Sequence, residues 1–162
     1  MFKRILVPLD GSRFSSSALR YAIGIAQRFN AQIILIEAVK PVTPSAVPAE
    51  AEATTVPVVT EVAVQAARLE EKRSVTKTKR YLQRKVRDVT KRGIKCSYRI
   101  EMENPAESIL KTCRKEGVKL IIMSTHGKGG LKRAILGSVA DEVTRKSRVP
   151  VMLIRQGTRG KK

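Results

Sequence analysis

Residues 123 to 143, MSTHGKGGLKRAILGSVADEV, hold the side chains and bare backbone most able to do chemistry. An apolar run, Leu120 to Met123, stops at polar residues and at Gly127, Gly129 and Gly130. Nine residues, 128–136, separate Gly127 from Gly137 and Ser138, where an amphipathic segment begins. Glycine lets the main chain approach a phosphate closely, with N–H groups free to point at it. A helix opening at Gly137-Ser138 adds its first N–H groups, its dipole and a hydroxyl, all of which favour an anion. Lys128 and Lys132 supply positive charge in the same stretch. The Walker A spacing G-x-x-x-x-G-K-[ST] and the dinucleotide fingerprint G-x-G-x-x-G are both missing, which excludes those two nucleotide schemes.

Other candidates are few. Asp10, in Pro8-Leu9-Asp10-Gly11-Ser12, either serves a ligand or caps its turn. His126 reads more readily as a hydrogen-bonding residue than as a catalytic base. These two are the only local groups able to activate a water, so no catalytic residue is assigned and any hydrolysis should be slow. The two cysteines, Cys96 and Cys113, lack C-x-x-C spacing and with one histidine cannot form a usual zinc site. Both are expected reduced. No carboxylate cluster can hold a divalent metal independently.

Positioning these groups is the task of a simple alternation of elements. Residues 3–8 read as a buried strand. Ser12 caps a helix to about Phe29, with Ala18, Leu19, Ala22, Ile23 and Ala26 at helical spacing. The triplet Ser15-Ser16-Ser17 reads as a solvated first turn. Residues 32–39, QIILIEAV, form a strand of the continuous apolar kind found in parallel sheets. A Pro-rich insert spans about 41–58, with Pro41, Pro44, Pro48 and Pro57. A long helix over roughly 60–92 places Leu69, Val75, Leu82, Val86 and Val89 on one face and ends at Gly93. Strand 94–102, a helix opened by Asn104-Pro105 and running to Gly117, strand 118–123, a helix over about 137–147 and strand 149–154 complete the order.

Alternating strands and helices imply an α/β fold, an open five-stranded parallel sheet of order 3-2-1-4-5 with helices on both faces. Its switch point lies between strands 1 and 4, where ligands bind beyond the carboxyl ends of such sheets. Pro8 to Ser12 and Ser124 to Ser138 both arrive there. One domain over 1–156 and a basic tail at 157–162 account for the 162 residues. No apolar run approaches the roughly 20 residues of a membrane span. The N-terminus lacks a secretory pattern, so a cytoplasmic location is expected.

Charge is the second unusual feature. Thirty-three Lys and Arg against fourteen Asp and Glu leave a formal charge of +19, which attracts polyanions. Arg73, Lys77, Arg80, Arg84, Arg87 and Lys91 recur every four and three residues along the long helix. From Lys72 to Lys95 there are eleven basic residues and one acid, Asp88. Such a stripe, at the basic helix 72–95, fits nucleic acid or an acidic partner. With three Tyr, three Phe and no Trp there are few stacking platforms, so contact with nucleic acid would run through its backbone.

Three segments, KRILVPLDGS at 3–12, IIMSTHGKGGLKRAILGSVADEV at 121–143 and SRVPVMLIR at 147–155, resemble the universal stress protein family, and the similarity runs along essentially the whole chain. The family's ATP-binding branch is marked by G-x-x-G, nine residues, then G-[S/T]. Gly127 and Gly137-Ser138 match, whereas the first glycine position holds Ser124. The resemblance implies an adenine nucleotide alpha hydrolase-like fold that binds ATP, or ADP or AMP, with Mg2+ or Mn2+ arriving on the phosphates. It implies that Pro8, Leu9 and Asp10 line the adenosine side, that backbone at Ala38 and Val39 reads the adenine edge, and that Met123 and Ser124 lie near base and ribose. Gly127, Gly130, Gly137, Ser138 and Val139 would hold ribose and phosphates. It further implies a homodimer through strand 149–154 and a stress-response sensor or regulator. The alternative is an interaction protein with a vestigial nucleotide site and a working basic helix.

Overall fold

The computed structural model describes residues 2–39, 56–126 and 136–155. The chain runs β1 (Arg4–Pro8), α1 (Arg13–Phe29), β2 (Gln32–Ala38), α2 (Val56–Thr90), β3 (Cys96–Glu101), α3 (Pro105–Lys115), β4 (Leu120–Ser124), α4 (Ser138–Lys146) and β5 (Val151–Ile154). The five strands form one sheet of order β3-β2-β1-β4-β5, with every paired neighbour parallel. This is the arrangement that the alternation of elements implies.

Local chemistry explains the helix ends. The Ser12 hydroxyl accepts the Ser15 N–H at 3.1 Å and opens α1, which closes at Asn30 in the left-handed region with φ 48°. Asn104 accepts the amides of Ala106 and Glu107 ahead of Pro105, so α3 begins where its sequence places it.

Two apolar layers sandwich the sheet. One joins Ile5, Val7, Ile33, Leu35 and Ile122 to α1 and to Leu82 and Val89 of α2. The other joins Leu6, Ile34, Ile36, Ile121 and Met123 to α3 and α4. Strand residues alternate between the layers because neighbouring side chains point to opposite faces.

Several boundaries and faces depart from expectation. Helix α2 begins at Val56, so Pro57, expected in the insert, lies in its first turn, where a missing N–H breaks no helical bond. Insert residues 41–55 and the tail at 157–162 lie outside the described residues. Leu69 is 51% exposed, whereas Leu82 and Val89 are fully buried. Leu69 precedes Leu82 by thirteen residues, about 220° around the helix at 3.6 residues per turn, so it faces the other way. Ser15 and Ser17 are buried and not solvated, because their hydroxyls donate to the carbonyls of Ser12 and Phe14 at 3.2 and 2.6 Å. The edge strand starts at Val151, not Val149. Pro150 has no N–H to donate, and the Ser147 hydroxyl both accepts the Val149 amide and donates to its carbonyl.

Candidate functional site

Two chain segments leave the sheet side by side at the carboxyl ends of β1 and β4. After β1 the Leu9 amide donates to the Ile36 carbonyl at 2.7 Å, holding the exit against β2. Gly11 follows with φ 78°, a conformation glycine adopts without the steric cost of a β-carbon. The Asp10 carboxylate accepts the Ser12 N–H at 3.0 Å, so Asp10 shapes the turn that starts α1.

After β4 the Thr125 amide donates to Ile154 of β5 at 3.1 Å. The Ser124 hydroxyl donates to the His126 carbonyl at 2.7 Å. Among the described residues only Asn30 combines a side chain with a positive φ, so serine occupies position 124 without backbone strain. The Gly137 amide then donates to the Thr125 carbonyl at 2.9 Å and ties the start of α4 to the end of β4. Gly137 has φ −65°, so its requirement is space and not handedness: a β-carbon there would stand 3.1 Å from the Thr125 oxygen.

Among the described residues no side chain caps α4, and its first helical bond runs from Asp141 to the Gly137 carbonyl. The first-turn amides of Ser138, Val139 and Ala140 are therefore the ones a helix leaves to an outside acceptor. Close by, His126 shares a 2.9 Å contact between Nδ1 and the Thr125 hydroxyl. Its Nε2 is buried and has no hydrogen-bond partner among the described residues. A buried nitrogen without a partner is a polar group that calls for one.

The structure thus brings Pro8, Leu9 and Asp10 to the exit of β1, Met123 and Ser124 to the end of β4, and Gly137, Ser138 and Val139 to the start of α4. Leu9 and Met123 are 3% and 5% exposed and belong to opposite apolar layers, so they offer the site main chain and not side chain. Ala38 ends β2 and Val39 follows it, on the far side of β1. The Val39 amide is already committed to the Glu101 carbonyl at 2.8 Å. Gly127 and Gly130, with Lys128, Gly129 and Lys132, lie outside the described residues.

Sequence reasoning missed a neighbouring group on the α1/α2 side. Tyr81 of α2 packs against that layer with its hydroxyl buried, facing Ser15 and Ser16 without a hydrogen bond of regular geometry. Its pKa is raised, chiefly by burial; the Ser16 hydroxyl opposes this, the charges of Glu37 and Asp10 add to it, and Ser15 opposes again. Glu37 is buried. It was visible as the one charge inside QIILIEAV, whereas nothing local marked Tyr81 as its neighbour. Among the described residues no three His, Cys, Asp or Glu side chains gather as a metal site.

The model of the universal stress protein family matches residues 1–155. Universal stress protein MJ0531 of Methanocaldococcus jannaschii is 30% identical over 156 residues, covering 96% of this chain and 84% of the relative. The solved structure of the M. jannaschii protein MJ0577 superposes with a TM-score of 0.79 at 25% identity, covering 98% of this chain and 99% of its own. A universal stress protein from Archaeoglobus fulgidus, solved in complex with dAMP, has a TM-score of 0.61 at 15% identity, covering 94% and 97% of the two chains, which shows a shared fold.

Proposed function

The chain belongs to the universal stress protein family, and on that premise we propose that it is a cytoplasmic, homodimeric, single-domain regulator that binds an adenine nucleotide at the switch point between β1 and β4. The observation that carries the reading is the uncapped start of α4, pinned to Thr125 through Gly137. First-turn amides aligned with a helix dipole hold phosphate oxygens. Within the family the dAMP complex of the A. fulgidus protein supports an adenine nucleotide as the ligand.

In this reading Gly137, Ser138 and Val139, with Gly127 and Gly130, hold ribose and phosphates. Pro8, Leu9 and Asp10 line the adenosine side, and Met123 and Ser124 lie near base and ribose. The adenine edge is read by carbonyls of Ala38 and Val39, since the Val39 amide is spent within the sheet. ATP would bring Mg2+ or Mn2+ with its phosphates. Asp10 is engaged with its own turn, so occupancy and not turnover is the signal, and ATP hydrolysis is slow. The outer edge of β5, which among the described residues pairs only with β4, is the surface for the dimer.

Mass spectrometry of the small molecule that co-purifies, with calorimetry against ATP, ADP and AMP, tests the proposal. A bound adenine nucleotide or a saturable heat supports it. Protein that carries none and gives no heat with any of the three overturns it.

A further inference from the structure

We propose that the exposed cationic face of α2 is a docking surface for double-stranded nucleic acid, read through its phosphate backbone and independent of sequence. This function is separate from the nucleotide site. Arg73, Lys77, Arg80, Arg84, Arg87 and Lys91 are all exposed. Thr78, Leu82 and Val89 of the same helix are buried. Burial of that opposite side fixes the helix's rotation, so the stripe cannot turn inward. At 1.5 Å per residue the six cations span about 27 Å in a straight row.

An ordinary solvated helix face mixes signs, as α4 does. There Arg145 pairs with Asp141 and Lys146 with Glu142, each four residues apart. Among the described residues no ion pair engages the α2 stripe. Like charges at these spacings work against a helix, and among the described residues no ion pair offsets them. An external polyanion would.

The chemistry selects the polyanion. A protein interface centres on apolar anchors with charge pushed to its rim. A membrane-seated helix likewise inserts apolar side chains. Among the described residues the exposed large hydrophobics of α2, Val62 and Leu69, precede the stripe, and none falls between 73 and 95. The polar neighbours are Thr76 and Thr90, whose hydroxyls donate to the Lys72 and Val86 carbonyls at 2.8 Å, and Gln83, whose side-chain amide can donate to a phosphate oxygen. Single strands need stacking platforms. Tyr81, the stretch's aromatic residue, is half-buried beneath Arg84 and Lys85, 5.9 and 5.6 Å from its ring centre. What remains is the regular charge lattice of a duplex backbone.

A second feature continues the field. Past the end of α2 lies a cavity of about 660 Å³ whose charged lining residues are Lys3, Arg92 and Lys95, with no acid among them. These cations also offset the carboxyl ends of α1 and α2, and together they carry positive potential beyond Lys91.

Fluorescence anisotropy of the full chain with a mixed-sequence DNA duplex of about 25 base pairs, across a salt series, decides the matter. Six phosphate contacts predict a slope of log affinity on log salt of about −5, a loss of about a thousandfold between 50 and 200 mM. The variant R73Q/K77Q/R80Q/R84Q should lose most of the binding and flatten the slope by about 3 to 4. The variant R20Q/R28Q/R114Q/K119Q removes equal charge elsewhere and should keep the slope within about one unit. Circular dichroism checks that both are folded. No binding at about 50 mM salt, equal loss in both variants, or tighter capture of oligo-dT, poly-glutamate or anionic vesicles than of the duplex each overturns the proposal.

Discussion

The amide of Gly137 donates to the Thr125 carbonyl at 2.9 Å, and a β-carbon on Gly137 would stand 3.1 Å from that same oxygen. One carbonyl therefore sets both the distance between β4 and α4 and the identity of the residue that starts the helix.

The substitution Gly137→Ala tests this coupling. Its φ of −65° suits alanine, which alone would stabilise by about 0.4–1 kcal/mol through the unfolded chain. The obstructing atom is main chain, held by the Thr125 amide's bond to Ile154, so it gives way poorly. Crowding of this kind costs about 1–3 kcal/mol and wins. Urea unfolding should show a net loss, and calorimetry should show weaker nucleotide binding. A protein as stable as the parent would refute the packing argument.

Opposite faces of α2 predict opposite mutational costs. Leu82→Ala empties a fully buried site and should cost about 2–5 kcal/mol in chemical unfolding. Leu69→Ala, at a half-exposed position, should stay within about 0.5 kcal/mol. Equal costs would mean that the helix is rotated from the arrangement described.

Burial pushes the Cys96 thiol from 9.0 up to about 12. The unfolded chain ionises it first, so the associated stability is complete below pH 9 and disappears as pH climbs toward about 12. Thermal melting followed from pH 8 upward should fall in that window, and more shallowly for Cys96→Ala. Thiol-reagent labelling at pH 8 should be slow for Cys96 until denaturant is added. Rapid labelling of the folded protein would contradict the assignment.

β5 lies at the sheet's edge with Met152 40% exposed. If two copies pair there, Met152→Lys should weaken the dimer at least about tenfold, since a charge on an edge strand disfavours pairing. Sedimentation equilibrium across a concentration series measures the change. A parent protein that stays monomeric at about 100 μM would remove the proposed interface.

Element order, sheet order and the cationic stripe could be read along the chain because each depends on near neighbours. Ser12 and Asn104 cap the helices that follow them, and the apolar runs at β1, β2 and β4 mark strands covered on both sides. Arg73 to Lys91 share a face at any setting of a helix, so the stripe needed no tertiary knowledge. Which way that face points did. The helical period already sets Leu69 about 220° from Leu82, but only docking against the sheet decides which of the two sides is buried and which is left in water. The same holds at the site. The glycines and Asp10 announced themselves, whereas the approach of Thr125 to Gly137 and the meeting of Tyr81 with Glu37 and Asp10 join residues distant in sequence. Local pattern determines what each segment becomes; which side chains end as neighbours is decided by how the layers pack, because burial is settled between elements and not within them.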